Sequence, residues 1–331
     1  MRGKGWFFGA AVAIVAGLLG GILAGSARAQ AARPPADYDP QFNYDCDRAC
    51  LQGFVDDYLA ALVAHDPSRL PLARSVRFTE NGQVLELGDG LWGTASGLGS
   101  YKIYAADPES GQVMFMGVLQ ENGAPIIFCL RLKVQMHLIK EIETIVTRKE
   151  PGSLAHPEAL VTPRPIFSEA VPPAERRSRA NLIAIANSYF NAIEKGHASY
   201  VPFDKNCNRI EDGVQTTNNP KLGVPGSSTN TFGLGCEAQI QLREFQPDTR
   251  IRDRRFLVVD EERGLVFVAG FFDHDARLRS FTLANGQVQK QTRTAPWTWE
   301  IAELFKIQDG KIMQIEALVN PVPYGLRAGW Q

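Results

Sequence analysis

The chain has 331 residues, 44% apolar, 21% charged and 9% aromatic. This ordinary globular composition excludes collagen-like, coiled-coil and wholly disordered readings. With 35 basic against 36 acidic residues the formal charge is −1, and no basic block runs along the chain, which argues against nucleic-acid binding. At roughly 150 residues per domain, the length predicts about two domains.

The first segment, residues 1–29, reads as a secretory signal peptide. Arg2 and Lys4 precede the apolar run Trp6 to Ala24, and Ala27-Arg28-Ala29 supplies the small residues of a cleavage site. Cleavage after Ala29 leaves 302 residues with 32 basic and 36 acidic side chains, a net −4. The alternative is an uncleaved anchor, since the run is long enough to span a bilayer. Gly and Ala content favours cleavage and a periplasmic or secreted protein with no membrane association afterwards.

Export makes the five cysteines candidates for pairing. Cys46 and Cys50 stand one turn apart at the start of a helical pattern, where a bridge is geometrically feasible. Cys207 and Cys236 flank a stretch rich in Asn, Thr, Gly and Ser, where a bridge closes a slack loop for a gain of about 3 kcal/mol. Cys129, inside Ile126-Ile127-Phe128-Cys129-Leu130, reads as a buried free thiol. No Cys-x-x-Cys or His-x-x-x-His pair points to a metal.

Following the helical pattern, the chain repeats itself. Residues 51–84 lie without gaps on 182–215 at an offset of 131, matching Tyr58 with Tyr189, Pro71 with Pro202, Glu80 with Glu211 and Gly82 with Gly213. Gly111–Ala124 pairs with a segment beginning at Gly264 (offset 153), and Arg131–Val146 with Leu304–Val319 (offset 173). Three faint matches in the same order indicate a duplication. Each copy opens with an amphipathic helix: Leu51, Phe54, Val55, Tyr58, Leu59, Leu62 and Val63 in the first, and Leu182, Ile185, Ala186, Tyr189, Phe190 and Ile193 in the second. Each ends in alternating strands, and Asn122-Gly123 and Asn285-Gly286 read as hairpin turns. Residues 151–173 hold six prolines and read as a linker. The predicted fold is α+β, two units each with a curved antiparallel sheet covered by helices, over 45–150 and 174–325, the second carrying two insertions.

The break after Tyr58-Leu-Ala-Ala-Leu-Val-Ala-His65-Asp66 and the ending Lys311-Ile312-x-x-Ile315-Glu316 resemble the NTF2-like (SnoaL-like) superfamily. Phe78-Thr79-Glu80-Asn81-Gly82-Gln83 followed by Gly88-Asp89-Gly90-Leu91-Trp92-Gly93-Thr94-Ala95 resembles DUF8021, a family of uncharacterised secreted domains, over roughly 45–150. The second copy lacks the Gly-Asp-Gly-Leu-Trp stretch. The resemblance implies two tandem cone domains, each with a pocket between sheet and helices. It also implies a pattern like that of ketosteroid isomerase, a helix tyrosine with an acidic base shortly after, here Tyr189 with Glu211 or Asp212, and Tyr58 with Glu80 or Asn81. In that chemistry a desolvated carboxylate accepts a carbon-bound proton and a phenol steadies the enolate. The plainer reading of these residues is a packed tyrosine and a hairpin turn.

The two copies differ most where the middle strand ends. Copy two has Asp273-His274-Asp275 where copy one has Gln120-Glu121-Asn122. Alternation puts Asp273 and His274 on opposite faces, so at most one points into the cone. A functional pair stands against a solvated hairpin. Trp297 and Trp299 share a face and either wall an aromatic ligand or bury an interface. Arg250, Arg252, Arg254 and Arg255 either hold an anionic group, with Arg254 as candidate, or pair with Glu261 and Glu262. The insert Thr216–Gly235 could fold over the cone mouth as a lid. No nucleotide-binding or Gly-x-Ser-x-Gly motif is present, and no cofactor is expected. The expectation is a cofactor-independent lyase or isomerase acting on a small apolar or aromatic molecule, with Asp273, His274, Tyr189, Glu211 and Asp212 as catalytic candidates. The expected assembly is an intramolecular pseudo-dimer, with homo-oligomer formation open to it. The rival is a non-catalytic ligand-binding or assembly module.

Overall fold

In the computed structural model, residues 46–150, 154–222 and 230–330 are described. The expected leader and the expected cleavage after Ala29 lie outside them. Among the described residues, no helix is long and apolar enough to cross a membrane.

Helix α1 (Arg48–Val63) starts where the Asp47 carboxylate accepts the Cys50 amide at 2.9 Å. It buries Leu51, Phe54, Val55, Tyr58, Leu59 and Leu62, the stripe its spacing predicts. Helix α2 (Arg179–Lys195) buries Leu182, Ala186, Tyr189, Phe190 and Ile193 and stops at Gly196 in the left-handed conformation.

After α1 come β1 (Leu72–Glu80), β2 (Gln83–Val84), β3 (Ala95–Asp107), β4 (Gln112–Glu121), β5 (Ala124–Gln135) and β6 (Leu138–Thr147), ordered β2-β1-β6-β5-β4-β3. After α2 come β7 (Phe203–Glu211), β8 (Val214–Gln215), α3 (Cys236–Gln241), β9 (Arg250–Asp260) and β10 (Leu265–His274). A small hairpin of β11 (Ser280–Thr282) and β12 (Val288–Lys290) precedes β13 (Trp297–Gln308) and β14 (Lys311–Val322), and the main sheet reads β8-β7-β14-β13-β10-β9. The two sheets have one topology. Neither is wholly antiparallel: β1 runs parallel to β6, and β7 to β14. Hairpins dictate the antiparallel meander, whereas the first strand reaches the last through no local turn and pairs with it in parallel.

Residues at the repeat offsets occupy equivalent places. Phe78 lies opposite Ile142 and Arg209 opposite Ile315; Glu121 lies opposite Ala124 and His274 opposite Trp297. Asn122 and Gly123, both at positive φ, form the two-residue turn between β4 and β5. Asn285 and Gly286 lie in the longer turn between β11 and β12.

Each sheet turns one face to its own helix and the other to its neighbour. Met114, Met116, Ile127, Cys129 and Ile145 share a core with Phe267, Ala269, Ala302, Leu304 and Leu318. Two ion pairs cross this boundary in reciprocal fashion, Arg48 with Asp260 and Arg179 with Asp107. Each aspartate also accepts a backbone amide from the other half: Asp260 from Ala106 (3.3 Å) and Asp107 from Val259 (3.0 Å). Such two-way contacts are the mark of a self-complementary interface. The described part of the chain beyond residue 45 packs as one unit.

The proline-rich stretch expected as a linker is a strap packed on that unit. Leu160 and Phe167 are buried in the core shared by the sheets, and the Val171 amide donates to the Glu262 carbonyl at 2.8 Å. Pro157, Pro165 and Pro173 each open a single 3-10 turn, and the apolar residues between them cover the seam.

Candidate functional site

In the first half the space between helix and sheet is filled from within. The turn Gly90–Gly93 drops Leu91 and Trp92 into the cone, each about 1% exposed. The Trp92 indole donates to the Tyr58 hydroxyl at 3.1 Å, and the Leu91 amide donates to Glu80 at 2.9 Å. Gly90 has φ +64, and a Cβ there would stand 2.8 Å from the Glu80 carboxylate, so glycine is required for the plug to seat. Burial pushes Glu80 above the usual carboxylate range.

The second half puts charge where the first has hydrocarbon. Phe78 and Leu130, both buried, are replaced by Arg209 and Glu303, also buried. Arg209 donates to the Tyr189 hydroxyl at 3.4 Å, to Gln239 of α3 at 2.8 Å and to Thr216 at 3.2 Å, and pairs with Glu211 at 3.2 Å. Burial pushes Glu303 up to about 8, with Glu211 adding to the rise and Arg209 opposing it; its Oε2 has no hydrogen-bond partner. Glu244 is raised to about 7, again chiefly by burial. Cys207 and Cys236 are bridged and tie α3 to β7, while Cys46 and Cys50 are bridged at the start of α1. Thr216, Thr217 and Thr231 of the insert are buried around this network.

At the mouth of the second cone lies a small cleft lined by Glu211, Asp212, Trp299, Arg293, Val319 and Pro321, with Leu154 of the strap. Asp212, at φ 51, follows β7 and accepts the Val319 amide at 2.9 Å. Burial pushes its carboxyl up to about 8, helped by the charge of neighbouring Glu211. Its counterpart Asn81 makes the same bond with its Oδ1, from the Val146 amide at 2.8 Å, and also donates to the Val146 carbonyl at 3.4 Å. An amide serves the backbone equally well but cannot take a proton.

The remaining predicted residues divide as alternation requires. His274 faces the cone, its Nε2 2.7 Å from Asp248 and its ring stacked on Trp297 at 4.1 Å and edge-on to Trp299 at 4.5 Å. Asp273 faces the other way, held by Arg250 (2.5 Å), Arg252 (2.9 Å) and Thr298 (2.6 Å), which keep it below the usual carboxylate range despite its burial. Both are buried, not part of a solvated hairpin.

The arginines do not pair with Glu261 and Glu262. Arg254 is stitched to α2 through Glu194, Asn191 and Asn187, and Arg255 reaches Glu143 across the sheet seam. The β9–β10 register places the two glutamates in the turn beyond the strand, where Glu262 meets Arg48 and Glu261 the Arg179 amide. Arg254 therefore lies away from the cleft.

Trp92, Arg209, Asp248 and Glu303 were not among the predicted site residues. Their signal is the comparison of the halves at fixed offset, Leu130 against Glu303 and Phe78 against Arg209, and a charge on the inward face of an otherwise apolar strand. Among the described residues, Cys46, Cys50 and His137 bring three potential ligand atoms within 4.8 Å, but the two sulfurs are bonded to each other.

The sequence model of DUF8021, a domain of unknown function, matches residues 175–319. The match runs from just before α2 into β14 and so falls on the second half, not on the first as the quoted motif suggests. The Gly88–Trp92 stretch is therefore not what carries it. No curated protein matches the chain. Among solved structures, AclR, a proposed hydroxylase from Streptomyces galilaeus, is 10% identical, with 43% of this chain and 77% of that one covered at a TM-score of 0.26. A proposed isomerase from Bacillus subtilis is 7% identical, covering 43% and 87% at 0.27. A de novo designed protein with a curved β-sheet is 13% identical, covering 44% and 88% at 0.25. Likenesses this slight say nothing of activity.

Proposed function

We propose that the chain is an exported duplication of an NTF2-like unit and that its second half is a cofactor-independent acid–base enzyme of the isomerase or lyase class. The site is the mouth cleft. Asp212 is the proton carrier, Trp299 the wall against which a flat, largely apolar substrate lies, and Arg293 the cation facing its carbonyl oxygen. Tyr189 and Arg209 hold Glu211, the neighbour of Asp212, from behind. His274, on Asp248, holds the two tryptophans in place, and Asp273 is a structural anchor. Two disulfides and the Ala-x-Ala leader support export.

One observation carries the reading: a buried carboxyl lining a cleft, pushed up to about 8 by that burial, at a position where the plugged half has an asparagine with both amide atoms tied to backbone. A base of that strength suits removal of a proton next to a carbonyl. The proton passes from the substrate carbon to an Asp212 oxygen, and the electron pair moves to the carbonyl oxygen beside Arg293. Return of the proton to another carbon completes an isomerisation; its transfer from Asp212 to a departing β-hydroxyl, which leaves as water while the electron pair returns to form the C=C bond, completes a dehydration. The test is deuterium incorporation from solvent into aromatic ketones, compared between the wild type and Asp212→Asn.

A second reading, a ligand-binding module without turnover, draws support from the cone interior, where Gln239 and Arg209 occupy the depth a substrate would enter. Saturable binding of the same ketones with no exchange would favour it.

A further inference from the structure

We infer that the cleft between the proline-rich strap and β3 binds a small molecule carrying a phosphate group. It lies apart from the mouth cleft and shares no lining residue with it. Its charged lining is cationic: Lys102 from β3, Arg164 from the strap and Arg263 from the turn between β9 and β10. None of the lining residues is acidic. Among the described residues Lys102 and Arg263 make no ion pair, and Arg164 touches Glu316 through one nitrogen at 3.5 Å.

Three nearby carboxylates are committed elsewhere. Asp56 accepts the Tyr104 hydroxyl at 2.7 Å, Glu262 meets Arg48, and Asp260 takes Arg48 and the Arg263 amide. Behind Arg263 lies buried Lys306, whose Nζ donates to the Arg263 and Glu169 carbonyls at 2.8 Å; burial lowers it to about 8 against the opposing pull of the Glu169 and Asp260 charges, so the cleft's own charge is that of its three lining cations. The cleft therefore holds more positive charge than its neighbours neutralise.

Shape adds to charge. Tyr104 and Phe167 give the cleft aromatic walls. The strap is fixed before any ligand arrives, by Pro163 and Pro165 and by the bond from Ser100 to the Val161 carbonyl at 2.8 Å. A rigid concave site with two guanidinium groups and an ammonium suits a dianionic tetrahedral oxyanion better than a single carboxylate, because each guanidinium can bind two oxygens at once.

The test is calorimetric titration of the full chain with phenyl phosphate, inorganic phosphate and benzoate, repeated on Lys102→Ala and Arg263→Ala, with thermal melts to confirm that both variants fold. The expected result is saturable binding of phenyl phosphate, weakened roughly tenfold or more by either substitution and by salt, with inorganic phosphate and benzoate both weaker. Absence of saturable binding, equal affinity in wild type and both variants, or benzoate binding as tightly as phenyl phosphate would overturn the inference.

Discussion

The indole of Trp92 stands edge-on to the ring of Tyr58, centroids 5.2 Å apart, and gives its N–H to the tyrosine hydroxyl. The matching hydroxyl in the second half, that of Tyr189, receives Arg209 instead. One tyrosine position thus anchors an apolar stopper in one half and a charged network in the other. Burial and helix position are shared; only the partner has changed.

The plug makes the first half a stability element. Trp92→Ala should lower unfolding free energy by about 3–5 kcal/mol, since a large cavity opens beneath α1. Trp92→Phe should cost about 1–2 kcal/mol, leaving the Tyr58 hydroxyl without its donor. Urea melts check both, and neither variant should change chemistry in the second half.

Stability should be greatest on the mildly acidic side. Asp212, Glu300 and Glu303 are raised to about 8, and Glu244 and Glu316 to about 7, each chiefly by burial. The folded state therefore holds protons that the unfolded chain releases, so stability falls as pH rises from about 5 to about 8. Glu143 and Asp273 are lowered by their arginines and lose their contribution below about pH 4. Melting temperature should peak near pH 5 and decline toward pH 8.5. The advantage of Asp212→Asn over wild type should grow across that interval and then level off.

Asp273 separates anchoring from catalysis. Asp273→Asn should weaken the hold on Arg252 and Arg250 and cost about 1–3 kcal/mol, while leaving any proton-transfer rate within a factor of about two. A rate loss with unchanged stability would reassign it to the chemistry.

Parts of this arrangement were legible in the sequence. The helical stripes and the opposite facing of Asp273 and His274 follow from local periodicity, the Asn122-Gly123 turn from its dipeptide, and the disulfide candidates from the leader and the composition around the cysteines. The parallel pairings of β1 with β6 and β7 with β14 do not, because they join strands separated by most of a half. The partners of Arg254 and Arg255 come from α2 and from the other sheet, beyond the reach of neighbour-based pairing. Arg209 and Glu303 sit in ordinary-looking strands and stand out only beside Phe78 and Leu130. The proline-rich stretch reads as a linker because prolines are prominent there, whereas Leu160 and Phe167 decide where it packs.

The reciprocal pairs Arg48–Asp260 and Arg179–Asp107 should be energetically alike. A double-mutant cycle on each should give a coupling of about 1–3 kcal/mol, as both join a largely buried arginine to a buried aspartate that also serves a backbone amide. Thermal melts of the single and double alanine variants measure it. Strongly unequal couplings would show that the two halves lean on one pair alone.

The role of the mouth cleft rests on Asp212, and solvent deuterium exchange into aromatic ketones tests it most directly. Exchange above buffer is expected in the wild type, with loss of at least about a hundredfold in Asp212→Asn with its fold intact and a weaker apparent affinity in Trp299→Ala. Exchange that survives in Asp212→Asn, or none above buffer in the wild type across a panel of such ketones, would contradict it.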